Sequence, residues 1–109
     1  MEEKITAVYL LVWTSELTPE DRGSFERPLE RQKQACVRFL ESKGIPTDTN
    51  VAFYKSRGDL LTDIERDRIA RIVVFDTDRL GATKEDVDAF LFEAGARQIE
   101  VLPVQTKTS

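Results

Sequence analysis

Two uninterrupted apolar runs constrain this chain more than any other feature. The first is Ala7-Val8-Tyr9-Leu10-Leu11-Val12-Trp13, and the second is Ile72-Val73-Val74-Phe75. A strand with one wet face alternates apolar and polar residues. An unbroken run suits a strand covered on both faces, as in the middle of a parallel sheet. The second run stops abruptly at Asp76, Asp78 and Arg79, with Gly81 close behind. In open α/β sheets, ligands gather beyond the carboxyl ends of the strands. Charges placed just there are the first place to look for function.

The rest of the chain alternates around these runs. Residues 5–12 read as a strand, and residues 14–23, with Pro19 and Gly23, as a loop. A helix is predicted over 28–43, with Pro28 in its first turn and Gly44 as its stop. Leu29, Cys36, Phe39 and Leu40 form its apolar stripe, interrupted by Gln32 and Lys33. Cys36 on that stripe reads as a core residue. Glu30-Arg31 and Lys33-Gln34 read as a solvated face. A short strand at 51–54 precedes a helix over 58–67, with Leu60, Leu61 and Ile64 on one side. Residues 69–75 make the next strand. Thr83 caps the clearest helix, with Asp86 three residues on. Val87, Phe90, Leu91 and Ala94 follow helical spacing, and Gly95 is expected to end it. The last strand is 99–104, and Pro103 places it at an edge.

The order β-α-β-α-β-α-β predicts a three-layer α/β fold: a mostly parallel four-stranded sheet, helices on both faces and right-handed crossovers. The expected strand order is 2-1-3-4. It puts the loops after the first and third strands across one crevice. With 109 residues and 40% apolar content, the chain is expected to be a single domain over 1–109. The net charge of −4 argues mildly against a free-standing nucleic-acid binder. One cysteine excludes an internal disulfide, and the lack of histidine removes the commonest general base and metal ligand. No cofactor and no metal is expected. No signal pattern is seen, and the run at 7–13 is too short to span a bilayer, so a cytoplasmic location is expected.

The residues resemble a known family, the serine recombinases, in their resolvase/invertase catalytic domain. Asp78-Arg79-Leu80-Gly81 after a strand is similar to that family's Asp-Arg-Leu-Gly/Ser-Arg signature. Tyr9-Leu10-Leu11-Val12-Trp13-Thr14 falls where the family has Tyr-Ala-Arg-Val-Ser-Thr. Leu29-Glu30-Arg31-Gln32, Ala35-Cys36 and Lys43-Gly44 resemble its first helix, and Arg57 falls near its Arg-Pro-Gly position. The resemblance runs from about Ile5 to Val104. It implies the resolvase fold and DNA recombination through a phosphoserine link, with arginines neutralising the attacked phosphate. The residues that fall on family catalytic positions are Asp78, Arg79 and Arg57.

The departures set the functional expectation. Trp13 stands at the nucleophilic serine position, Leu11 at an arginine position and Ala82 at the second arginine of the signature. The segment between Tyr54 and Arg57 is shortened relative to the family. An indole cannot attack phosphorus, and neither leucine nor alanine neutralises phosphate. The reading is a resolvase-like domain without catalysis, serving as a binding or assembly module for a related recombinase or another protein. DNA is then a weak partner for the chain alone. The family's dimer helix and helix-turn-helix region are not expected here, because only a polar tail follows the last strand. One alternative is an active strand-transfer enzyme using Thr14 or Ser15 as a displaced hydroxyl. Another is a small anion- or ligand-binding α/β domain. A strand followed by Asp76-x-Asp78 also resembles haloacid-dehalogenase-type phosphatases, but the later lysine and acidic motifs are missing. Trp13 is expected to fill the crevice as a packing residue.

Overall fold

The structure is a computed structural model, and it describes residues 4–13, 17–47 and 50–105. Four strands, β1 (Ile5–Tyr9), β2 (Val51–Tyr54), β3 (Ile69–Val74) and β4 (Glu100–Pro103), alternate with three helices. The helices are α1 (Glu26–Ser42), α2 (Arg57–Glu65) and α3 (Lys84–Ala96). The sheet order is β2-β1-β3-β4. Every pairing is parallel, with Val8 opposite Phe53 on one side and Val73 on the other. The expected α/β sheet with order 2-1-3-4 is what the chain forms.

Strand pleating divides the core in two. Ala7, Tyr9, Ile72 and Val74 point to one face and pack with Leu60 and Ile64 of α2 and Phe90 and Ala94 of α3. Val8, Leu10 and Val73 point to the other face and meet Cys36 and Leu40 of α1. Each apolar run therefore feeds both layers, which is why neither could alternate with polar residues. Cys36 is fully buried, as expected of a core residue. Burial pushes its thiol up to about 11, partly offset by the positive charge of Arg79.

Several boundaries differ from the sequence expectation, each for a local reason. β1 ends at Tyr9, not Val12, because the Leu11 main chain turns to the Gln32 side chain instead of a neighbouring strand. α1 begins at Glu26, before Pro28. A proline fits anywhere in the first turn, where amide groups lack helical acceptors. Gly44, at φ 72°, does follow the helix end. Gly95 does not stop α3, which runs on to Ala96. The reversal falls at Gln98, whose φ is 60°, and the Ile99 amide donates back to the Ala94 carbonyl at 2.8 Å. A 3-10 turn at Thr77–Leu80 separates β3 from α3. The Thr83 hydroxyl accepts from the Asp86 amide at 3.1 Å, as the capping pattern predicts. Pro103 lies in β4, an edge strand.

The two tyrosines of the chain, Tyr9 and Tyr54, both sit in the α2–α3 core layer. Tyr54 donates its phenol hydrogen to Asp63 Oδ2. Burial first, then that bond to Asp63, raises its pKa from 10.0 to about 12. Burial likewise raises Tyr9, against an opposing pull from Arg57. A phenol whose folded pKa is raised stabilises the fold fully below the unfolded value, and that contribution is lost as pH rises through the folded value. Tyr54 phenolate absorbance should therefore be nearly absent in the native chain at pH 10. It should appear between pH 10 and about 12 together with a falling unfolding midpoint. A half-ionised Tyr54 in the native chain at pH 10 would contradict this packing.

Candidate functional site

The site is built where β1 and β3 leave the sheet side by side. β3 ends at Val74, and the 3-10 turn carries Arg79 back over the end of β1. Every residue of the Asp-Arg-Leu-Gly stretch sits in a distinct place. Asp78 is half-buried and borders a shallow pocket with Thr83 and Lys84 at the start of α3. Arg79 is buried on the side of α1, while Leu80 enters the α2–α3 core. Gly81 lies against α3 so closely that a Cβ there would stand 2.5 Å from Asp86 Cβ.

Arg79 is the centre of the arrangement, with only 4% of its surface exposed. Its Nε donates to Asp76 Oδ2 at 3.2 Å. Its Nη1 donates to the Leu11 carbonyl, bridging the two rims. The guanidinium lies 4.5 Å from the Trp13 ring centroid and 5.1 Å from that of Phe75. These are cation–π distances, and burial strengthens the attraction. Trp13 itself remains 40% exposed, so one part of the indole meets Arg79 and another meets solvent. The sequence reading has Trp13 fill the crevice; instead it lies partly exposed over Arg79 and does not line the cavity.

The Gln32 side chain locks the same backbone from α1. Its Oε1 accepts from the Leu11 amide and its Nε2 donates to the Leu11 carbonyl, both at 2.8 Å. This explains the polar interruption in the α1 stripe: Gln32 is buried because it replaces a strand neighbour. Asp76 was among the charges marked after the second apolar run, and Gln32 is the site residue that sequence reasoning did not single out. The signal for Gln32 was a polar residue on an apolar helix face.

Arg57 does not join this group. It opens α2, and its guanidinium lies 6.0 Å from the Phe90 ring on the α2–α3 side. Arg79 turns instead toward α1. Of the three family-like positions, Asp78 and Arg79 thus share the rim after β3, and Arg57 faces another layer. Thr14 and Ser15, the candidate hydroxyls, lie outside the described residues.

A cavity of about 400 Å³ opens beside Arg79. Its wall is apolar at Val12, Pro28, Ala35 and Phe75, and polar at Thr18, Arg31, Gln32 and Arg79. Arg31 Nη2 reaches Asp21 Oδ1 at 3.6 Å. The Asp21 carboxylate is held by the Thr18 amide at 2.9 Å and the Thr18 hydroxyl at 3.1 Å. The Thr18 amide is the main reason its pKa lies below the usual carboxylate range. Among the described residues, no cluster of histidine, cysteine or acidic side chains could hold a metal ion. No helix is long and apolar enough to cross a membrane, again among the described residues.

This architecture is the fold of a serine recombinase catalytic domain. Among solved structures, the chain is similar to the C-terminal catalytic domain of ISC1926 TnpA, an IS607-like serine recombinase. The TM-score is 0.68 with 16% sequence identity, over 94% of this chain and 71% of that one. No protein-family profile matches the chain. No curated protein matches it either.

Proposed function

We propose that the chain is a recombinase-fold domain without strand-transfer chemistry, acting as a binding or assembly module toward another protein, such as a related recombinase. The observation that carries this reading is the engagement of Arg79. An arginine that neutralises an attacked phosphate must aim its N–H groups at the place where charge develops. Here the guanidinium is buried and donates to Asp76 and to the Leu11 carbonyl, with the Trp13 indole over it. The charge needed for phosphate is spent on holding the crevice together. Trp13, Leu11 and Ala82, at the resemblance's serine and arginine positions, supply neither nucleophile nor cation.

The reading is tested by trapping. The chain is incubated with nicked and gapped duplex DNA, alone and with an intact serine recombinase, and resolved on a denaturing gel. No covalent adduct of this chain is expected under either condition. A phosphoserine or phosphothreonine link mapped to Ser15 or Thr14, and lost in Ser15→Ala or Thr14→Ala, would establish the displaced-hydroxyl enzyme instead.

A further inference from the structure

We propose that the cavity between the β1 exit and α1 binds a small organic carboxylate, gripped by Arg31 and packed against an apolar wall. This goes beyond the assembly reading and does not rest on it, because the cavity is the same whether or not the domain cuts DNA. Its volume of about 400 Å³ lies in the range of small-molecule sites, which pair a mostly apolar wall with a few converging polar groups. Val12, Pro28, Ala35 and Phe75 supply that wall; Thr18, Arg31, Gln32 and Arg79 are its polar residues, and of these Gln32 and Arg79 already hold the Leu11 main chain, which leaves Arg31 as the grip.

Arg31 is held differently from a merely solvated arginine. Its side chain is 67% exposed, yet it pairs with a carboxylate whose side chain is only 1% exposed. Asp21 Oδ1 is buried and accepts no hydrogen bond, so it answers to the Arg31 charge. Burying a carboxylate is unfavourable unless something is gained. Here the buried carboxylate holds a guanidinium that lines the cavity. A guanidinium has five N–H donors, so pairing through Nη2 leaves a fork for a ligand.

The charges also select the ligand class. Asp21 faces both Arg31 and Arg27, while Asp76 faces Arg79. The cavity mouth therefore keeps a surplus cation that suits a monoanion, and falls short of the charge that a phosphate dianion or a polyanion would call for. A single planar carboxylate matches an arginine fork bidentately and needs only one charge. The apolar wall calls for a ring-sized body behind it.

Benzoate is the probe, titrated into the ¹⁵N-labelled chain while the Arg31 Nε–H and Gln32 side-chain amide signals are followed. Trp13, the one tryptophan, gives a second signal by emission. Saturable shifts with a Kd on the order of 1 mM are expected for so small a ligand. Benzamide, the same shape without the charge, should bind at least about 10-fold more weakly. Arg31→Gln should weaken benzoate by about 10-fold or more; it also takes a cation from the buried Asp21 carboxylate, so its melting temperature should fall, and the loss of binding is read below that temperature, where the amide spectrum is that of the folded chain. Ala35→Met should block the body of the ligand while leaving the Arg31–Asp21 pair in place. Shifts that never saturate, equal binding of benzoate and benzamide, or an indifferent Arg31→Gln would each overturn the proposal. Phenyl phosphate binding more than about 10-fold tighter than benzoate would overturn the carboxylate assignment. A DNA adduct, by contrast, would sink only the assembly reading.

Discussion

Arg79→Met is expected to destabilise the domain by about 3–5 kcal/mol, the range for breaking one side of a buried ion pair. Methionine replaces the stem and some of the contact with Trp13 and Phe75, so little of the loss is packing. What remains is a buried Asp76 carboxylate without its cation and a Leu11 carbonyl with one donor fewer. Asp76 Oδ1 already lacks a hydrogen-bond partner, so nothing at hand takes over. Adding Asp76→Asn should recover part of the loss, because the stranded charge is then gone. Denaturant unfolding followed by circular dichroism and by Trp13 emission reads both quantities. A cost below about 1 kcal/mol, the scale of a surface pair, would show that the guanidinium is in effect solvated, and the clamp account would fail.

Gly81→Ala is the second large effect, at about 1–3 kcal/mol. Its backbone is extended, with φ −161°, which any residue adopts, so the cost is steric alone. The new methyl would meet Asp86 Cβ at 2.5 Å and the Asp86 carbonyl carbon and Val87 nitrogen at 2.8 Å. Two of these are helix backbone and cannot rotate aside, so the 3-10 turn and α3 must part. Gly95→Ala is the control, because nothing lies within 4 Å of the added carbon. There alanine should gain up to about 1 kcal/mol from better helix propensity. Equal effects at the two glycines would refute the close approach at Gly81.

The topology was legible because it rests on features that sequence carries directly. Two runs too apolar for a half-wet strand, alternating with helical stripes, leave few arrangements besides a covered parallel sheet. Helix ends were less legible where a residue other than glycine takes the left-handed turn, as Gln98 does after α3. The turn at Thr77–Leu80 is too short to carry a period. In the site, Arg79 stood out as a charge placed just beyond a buried strand. Gln32 was visible only as a flaw in a stripe. The pairing of Arg31 with Asp21 left no trace, since both look like ordinary surface charges until the loop folds one of them under. The separation of Arg57 from Arg79 could not be read either, because it depends on which side of the sheet each loop exits.

The grip on Leu11 runs through its peptide group and not through its side chain. Gln32 and Arg79 both hold that one carbonyl, and Gln32 also takes the amide. A carbonyl oxygen has room for two donors, so the two fasteners do not compete. Position 11 is thereby uncoupled from the shape it anchors: exchanging leucine for another residue would change what the rim presents without releasing the rim itself. A scaffold fastened at its main chain can drift far in chemistry while its outline persists, which is the physical sense in which so distant a likeness still superimposes.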